Sequence, residues 1–330
     1  MRRRKFIVFA GGMLATWPLM AAAQQGGRVR RIGYLNSAAP DDPETIARVA
    51  AFPEKLRQLG WSKDRNIQID FRFASGRSDQ YRTLAQELIA LHPDVLVTGS
   101  TPTALVLQRE TQIIPIVFNG VSDPVGAGLI ASLNRPGGNI TGVLLYEVGI
   151  AGKWLAMLKE ILPSLKRVAL LGNPKTTPFE YFRRAAEDAA PSLGIELVPT
   201  PIENAPTDLE RAVASFATAP HGALLALPDP TIGALRELVV PLAAKFQLPA
   251  VYPFRSLVDA GGLMSYGVDP TDVIRIAATY VDRILRGEKP AQLPVQAPVK
   301  YETILNLRAA KSLGLNVPDS LLVRADEVIN

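Results

Sequence analysis

The sequence contains no cysteine and only two histidines, His92 and His221. Disulfide bonds, thiolate catalysis, cysteine metal sites and a lipid-modified cysteine at an export cleavage site are therefore excluded. No spacing of Asp, Glu and His matches a metal cage, so we expect no metal and no cofactor. A chain of 330 residues can bury a large apolar core, and we expect it to fold without covalent crosslinks.

Motifs of the common enzyme classes are also missing. Ser100 follows Gly99, but this segment is not the G-x-S-x-G turn of α/β hydrolases. Neither a G-x-G-x-x-G dinucleotide loop nor a G-x-x-x-x-G-K-[ST] phosphate loop occurs. Gly137 and Gly138 precede an apolar run, which we interpret as a turn before a strand. We therefore expect that the protein is not an enzyme, and an exported α/β hydrolase or oxidoreductase is the weaker alternative.

The first 23 residues have the pattern of an export signal. Residues 2–5 are basic, residues 6–20 are apolar, and residues 21–23 are alanines. A basic start, a short apolar run and an A-x-A site are typical of a cleavable signal peptide, and the run is too short to span a bilayer. The arginine pair before Lys5, Phe6 and Ile7 also fits a twin-arginine signal. We expect export to the periplasm and cleavage near Ala23.

Little excess charge remains once this segment is removed. The formal net charge of +5 falls to +1, because the segment holds four basic residues and no acidic ones. Nucleic-acid binding needs a concentrated positive face. We therefore expect neither a nucleic-acid partner nor binding to an anionic membrane.

Short apolar runs alternate with segments of helical period along the rest of the chain. Strands are predicted at 31–35, 66–73, 94–98, 113–118, 167–171, 195–198, 223–227, 250–252, 263–268 and 301–307. Helices are predicted at 45–59, 80–91, 102–111, 153–162, 179–193, 208–217, 231–246 and 272–285, followed by a helical tail. This alternation is typical of parallel, doubly wound sheets.

The pattern begins again after the glycine-rich segment at 135–142, which indicates two similar α/β lobes. We expect lobe 1 to comprise 28–142 and about 270–300, and lobe 2 to comprise 143–269 and about 301–330. Ligands of open parallel sheets bind beyond the carboxyl ends of the strands. Two such edges that face each other would enclose a small molecule and could close on it about a hinge.

Polar and aromatic side chains follow the predicted strands at these edges. The candidate ligand-binding residues are Ser37, Ser100, Thr101, Asn119 and Asp123 in lobe 1 and Asn173, Asp229, Tyr252 and Tyr266 in lobe 2. Hydroxyls and helix N-termini suit a carboxylate, aspartates suit an ammonium group, and aromatic rings suit an apolar side chain. Ser, Thr, Asn and Asp are also favoured N-caps, so each polar candidate has a structural alternative.

Several ordered motifs resemble one known family. They are Asn66-Ile-Gln-Ile, Ala85-Gln-Glu-Leu, Ile114-Pro-Ile-Val-Phe, Asp123-Pro-Val-Gly, Leu133-Asn-Arg-Pro-Gly-Gly-Asn-Ile-Thr-Gly, Gly261-Gly-Leu-Met-Ser-Tyr-Gly and Leu321-Leu-Val-Arg-Ala-Asp-Glu-Val-Ile. These segments are similar to those of ABC-transporter substrate-binding proteins related to the tryptophan-binding TrpX type. The resemblance covers essentially the whole chain after the signal.

The resemblance implies a type I periplasmic binding protein fold, with two Rossmann-like lobes joined by a multi-strand hinge. It also implies capture of a small solute. An amino acid is the leading interpretation, and an aromatic amino acid is the leading choice within that class. The partners would be an ABC permease and its ATPase, and we expect a monomer. A sensory module that presents its closed form to a membrane receptor is the second hypothesis, because it would need the same lobes.

Overall fold

The computed structural model describes residues 28–63, 65–147, 149–203 and 206–330. The predicted signal peptide lies outside the described residues. The strands are β1 (Arg30–Asn36), β2 (Ile67–Phe73), β3 (Val95–Thr98), β4 (Ile116–Val121), β5 (Ile140–Leu144), β6 (Arg167–Gly172), β7 (Glu196–Pro201), β8 (Gly222–Ala226), β9 (Ala250–Tyr252), β10 (Met264–Gly267), β11 (Glu302–Asn306) and β12 (Glu327–Ile329).

The helices connect these strands. They are α1 (Pro43–Gln58), α2 (Tyr81–Ala90), α3 (Thr101–Glu110), α4 (Ile150–Ile161), α5 (Phe179–Ala189), α6 (Thr207–Phe216), α7 (Pro230–Ala234), α8 (Arg236–Lys245), α9 (Arg255–Asp259), α10 (Pro270–Leu285), α11 (Leu307–Ser312) and α12 (Asp319–Arg324). Local signals explain many of the bounds. Asp42 caps α1 before Pro43, and Gly60 follows the end of the helix with φ of +95°.

Lobe 1 is built on a five-stranded parallel sheet with the order β2-β1-β3-β4-β5. Every residue of β3 is buried, as expected for a parallel strand covered by helices on both faces. Helix α10 comes late in the chain, yet it packs against α1, β4 and β5 and so belongs to this lobe. The carboxyl ends of β1, β3 and β4 lie at one edge of the sheet.

Lobe 2 is built on a seven-stranded sheet with the order β12-β11-β10-β9-β8-β6-β7. Strands β6 to β10 run parallel, whereas β11 pairs with β10 in the antiparallel direction. Strand β12 runs parallel to β11 and forms one edge. The two sheets establish the two-lobed α/β fold that the alternating pattern predicts.

The chain passes between the lobes after β5, after β10 and before β11. The backbone before β11 pairs with the end of β5, because Leu144 donates its N–H to the carbonyl of Gln296 at 2.9 Å. Tyr146 follows this pairing, is fully buried, and donates its hydroxyl to the Pro253 carbonyl at 2.6 Å. Hydrogen-bonded crossing segments of this kind can act as a hinge.

One local prediction is wrong, and two short elements were missed. The predicted helix at 231–246 is divided at Leu235, whose φ of −97° and ψ of +19° end α7 and precede α8. Gly233 weakens the helix just before this break. The short helix α9 and the last strand β12 were predicted neither by periodicity nor by turn signals. Within the described residues, no helix is long and apolar enough to cross a membrane.

Candidate functional site

A cavity of about 600 Å³ lies between the lobes, within the size range of small-molecule sites. Residues that follow β1, β3 and β4 line one wall, and residues that follow β6, β8 and β9 line the other. Six of the candidates line this cavity, namely Ser37, Ser100, Thr101, Asn119, Asn173 and Asp229. The structure therefore brings these six together at the facing edges of the two sheets.

The first turn of α3 presents a hydroxyl without a partner and an N-terminus without a side-chain cap. Thr101 is 6% exposed, and its Oγ1 is buried without a hydrogen-bond partner among the described residues. Ser100 occupies the N-cap position but makes no side-chain hydrogen bond to the helix backbone. Its hydroxyl lies instead 2.7 Å from the Thr103 Oγ1. An uncapped helix N-terminus beside an unpaired hydroxyl suits an anionic group such as a carboxylate.

Asn119 and Tyr34 extend this polar wall. The Asn119 side chain donates from Nδ2 to the Tyr34 hydroxyl at 2.7 Å. Burial raises the pKa of Tyr34 to about 12, although the Asn119 hydrogen bond and the nearby Arg48 lower it. The phenol is therefore neutral at physiological pH and retains its proton as a hydrogen-bond donor. Ser37 lines the same wall, and its backbone carbonyl accepts from Gly76 at 2.7 Å.

The polar groups of lobe 2 are instead satisfied within the lobe. Asp229 caps α7 and accepts from the Thr231 backbone at 2.8 Å and from the Thr176 hydroxyl at 2.6 Å. It also accepts from the backbone N–H of Asn173. Burial raises the pKa of Asp229 above its usual range, and these hydrogen bonds oppose the shift. Asp229 thus acts as a structural cap, and its contact with a ligand stays a prediction.

Three candidates do not line the cavity. Asp123 accepts from the Gly126 backbone at 2.8 Å, in the turn after β4. Tyr252 is buried in the apolar cluster of lobe 2, because its side chain points away from the cleft toward α8 and α9. Tyr266 is half-buried and stacks on Tyr301 with ring centroids 5.4 Å apart. Side chains alternate between the two faces of a strand, so a position near a strand end does not fix the direction of a ring.

Apart from Asp229, the charged residues of the cavity were not among the candidates. The described lining includes five carboxylates and two guanidinium groups, from Asp42, Glu44, Glu203, Asp229 and Glu237 and from Arg48 and Arg236. Phe254 lies on the wall near the hinge, with the Arg48 guanidinium 5.0 Å from its ring centroid. Several of these residues lie in the first turns of α1 and α8. A search of first helical turns, rather than strand ends alone, could have identified them.

A family model for ABC transporter substrate binding proteins matches residues 41–329 of this chain. The chain belongs to the ABC transporter substrate-binding protein family. It is 26% identical over 279 residues to a tyrosine-binding protein of Clostridioides difficile, covering 84% of this chain and 80% of that protein. Members of this family bind solutes for ABC transport, and they are typically extracytoplasmic.

Two solved structures extend the comparison. A conserved domain protein of Vibrio cholerae is 29% identical, with a TM-score of 0.84, and the match covers 91% of this chain and all of that one. A Streptococcus pneumoniae ABC domain in complex with L-Trp is 26% identical, with a TM-score of 0.81 and the same coverage. These matches agree with the two-lobed binding-protein fold and with the family that the motifs resemble.

Proposed function

We propose that this protein is the periplasmic solute receptor of an ABC importer and that its solute is an aromatic amino acid held in the interlobe cavity. The observation that carries the proposal is the unpaired hydroxyl of Thr101 beside the uncapped N-terminus of α3, which lines the cavity together with Ser100. These groups would bind the α-carboxylate. The relatives named for tyrosine and crystallised with L-Trp support the choice of ligand class.

The balance of charge favours a zwitterion over a simple carboxylate. Three of the five carboxylates in the lining are ion-paired, Asp42 with Arg236, Glu44 with Arg48 and Glu203 with Lys175. Asp229 and Glu237 remain in excess, so a ligand with a cationic group is attracted more strongly than a monoanion. Asn119 provides an amide oxygen close to Gly99, at which an ammonium group could donate. Phe254, Leu145 and Ile274 form an apolar part of the lining on which an aromatic side chain would rest.

Export and delivery complete the proposal. Cleavage near Ala23 would release the binding protein into the periplasm, by the general or the twin-arginine route. Binding would favour a closed form that docks on a permease driven by its ATPase. The receptor would act as a monomer and without catalytic activity. Residues 28–142 with 270–300 would move against residues 143–269 with 301–330. No nucleic-acid partner and no cofactor are part of this function.

A thermal-shift screen of residues 24–330 tests the ligand class. The panel contains L-tryptophan, L-tyrosine, L-phenylalanine, benzoate and L-lysine. A ligand at a hundred times its dissociation constant stabilises the folded state by about 2.7 kcal/mol. We expect a clear rise in Tm with an aromatic amino acid and none with benzoate or L-lysine. A rise with benzoate alone would contradict the zwitterion, and turnover of an ester, amide or NAD(H) substrate would contradict the receptor.

A further inference from the structure

Two charged side chains meet across the cleft, one from each lobe. Arg236 begins α8 in lobe 2, and its guanidinium lies 2.9 Å from Oδ1 of Asp42, the N-cap of α1 in lobe 1. Both residues line the cavity, and their side chains are 21% and 24% exposed. The ion pair therefore joins the lobes where part of the solvent is excluded, which strengthens it relative to a pair in open water.

The two carboxylate oxygens of Asp42 contact different lobes. Oδ2 accepts from the Thr45 backbone at 2.8 Å and from the Thr45 hydroxyl at 2.9 Å, whereas Oδ1 faces Arg236. Burial by itself would raise the pKa of Asp42, but the Thr45 hydrogen bonds and the Arg236 guanidinium outweigh it and lower that pKa. The carboxylate is thus held in place by its own lobe and is charged when it meets the other lobe.

The position of Arg236 is not explained by its own helix alone, although the Glu237 carboxylate of that helix lies 3.7 Å from its guanidinium. A cation in the first turn faces the positive end of the helix dipole, which is unfavourable. Its guanidinium also donates to the Gly233 carbonyl at 3.2 Å, which holds the side chain near the start of α8. A second contact across the cleft lies close by, where Arg48 of lobe 1 covers the ring of Phe254 in lobe 2. Both contacts would be lost if the lobes separated.

We propose that Asp42 and Arg236 form an interlobe clasp, made when the cleft closes on its ligand, that slows ligand release. The proposal rests on the receptor function proposed above. An interaction that exists only in the closed form shifts the equilibrium toward that form and so raises the apparent affinity, even for a ligand that touches neither residue. Asp42 and Arg236 are therefore positioning residues for solute capture.

The test compares Asp42→Asn, Arg236→Gln and the double variant with Arg275→Gln as the control. Asparagine is as good an N-cap as aspartate, so α1 keeps its start. Arg275 pairs with Asp272 at 2.6 Å within α10, and the control therefore loses an ion pair of the same kind without touching the cleft. We expect the release rate of L-tryptophan, measured by stopped flow, to rise about threefold to tenfold in each single clasp variant. The double variant should resemble the single ones, and the control should resemble the wild type.

A second measurement needs no ligand. The sequence has no cysteine, so spin labels at Thr83→Cys in α2 and Glu210→Cys in α6 report the distance between the lobes. We expect the fraction with the short distance to fall in both single clasp variants, and the difference to shrink at about 0.5 M salt. Unchanged distances together with unchanged release rates would overturn the clasp. A wild type that does not bind aromatic amino acids, but whose distances respond to the variants, would overturn only the proposed ligand.

Discussion

Replacing Thr101 by valine removes one hydroxyl from the first turn of α3 and keeps the shape of the side chain. The Thr101 Oγ1 is buried and has no hydrogen-bond partner among the described residues. A buried polar group without a partner costs about 1–3 kcal/mol. We therefore expect Thr101→Val to leave the free energy of unfolding of the ligand-free protein unchanged, or to raise it by up to about 1 kcal/mol.

The same substitution should weaken ligand binding. A hydrogen bond from the Thr101 hydroxyl to a carboxylate is charge-assisted and worth about 1.5–3 kcal/mol. Its loss corresponds to a dissociation constant that is roughly tenfold to 150-fold higher. Urea titration measures the free energy of unfolding, and isothermal titration calorimetry measures the dissociation constant for L-tryptophan. Higher stability together with lower affinity is the signature of a group reserved for the ligand.

Thr103→Val is the matched control, two residues further along the same helix. Thr103 is fully buried and donates to the Ser100 carbonyl at 3.0 Å, while it accepts from the Thr98 hydroxyl at 2.5 Å. This variant should lose about 1–3 kcal/mol of stability because its hydrogen bonds serve the fold. The interpretation of the Thr101 hydroxyl is refuted if Thr101→Val behaves like this control, with lower stability and an unchanged dissociation constant.

Three other predictions concern buried groups of the fold. Asp229→Asn should lower the free energy of unfolding by about 1–3 kcal/mol in urea titration, because one of its acceptor oxygens becomes a donor that faces N–H and hydroxyl donors. Gly142→Ala should lower it by at least about 3 kcal/mol, since a Cβ would lie 2.1 Å from the Phe118 carbonyl oxygen, whereas Gly138→Ala, with open space around it, should have little effect. Burial raises the pKa of Tyr34 to about 12, whereas a tyrosine of the unfolded chain titrates near 10. The contribution of the neutral phenol to the free energy of unfolding should therefore be complete below pH 10. It should fall by up to about 3 kcal/mol as the pH rises through 12. Alkaline unfolding curves in which Tyr34→Phe does not reduce this loss would contradict the last prediction.

Most of the fold could be predicted because local signals mark the elements. Short buried strands such as β3 and β8 read as continuous apolar runs. Gly60 and Gly194 both have positive φ just beyond the helical segments that they end. These signals depend on neighbouring residues alone, and so a single sequence is enough to locate them. The repetition of the pattern then predicts the two lobes.

The parts that were missed depend on distant residues. Strand β12 forms because it pairs with β11, and Asp326 fixes the start of that pairing by accepting from the Thr303 backbone at 2.7 Å. Val328 and Ile329 favour a strand, but a run of three residues is too short to predict one. The separation of α7 from α8 at Leu235 likewise has no strong local signal beyond Gly233. Such features require knowledge of the partner that the segment meets in space.

The candidate site likewise combines features that local sequence predicts with features that depend on distant residues. The sequence predicts that polar residues lie at the strand ends, but it does not separate a residue that caps a helix from one that faces the cleft. Asp229 and Thr101 are both polar residues at the start of a helix, yet one is satisfied by its own lobe and the other is not. Asp42 and Arg236 are far apart in the chain, and only the approach of the two lobes makes them neighbours.

Calorimetric titration of L-tryptophan and L-tyrosine into residues 24–330 is the decisive test that the interlobe cavity binds an aromatic amino acid. We expect saturable binding of at least one of them with one site per chain, together with a negative heat-capacity change as apolar surface is buried in the cleft. We also expect Ser100→Ala and Thr101→Val to weaken this binding while the fold remains intact. Absence of binding to both amino acids, or binding that neither variant affects, would contradict the proposed site and its ligand.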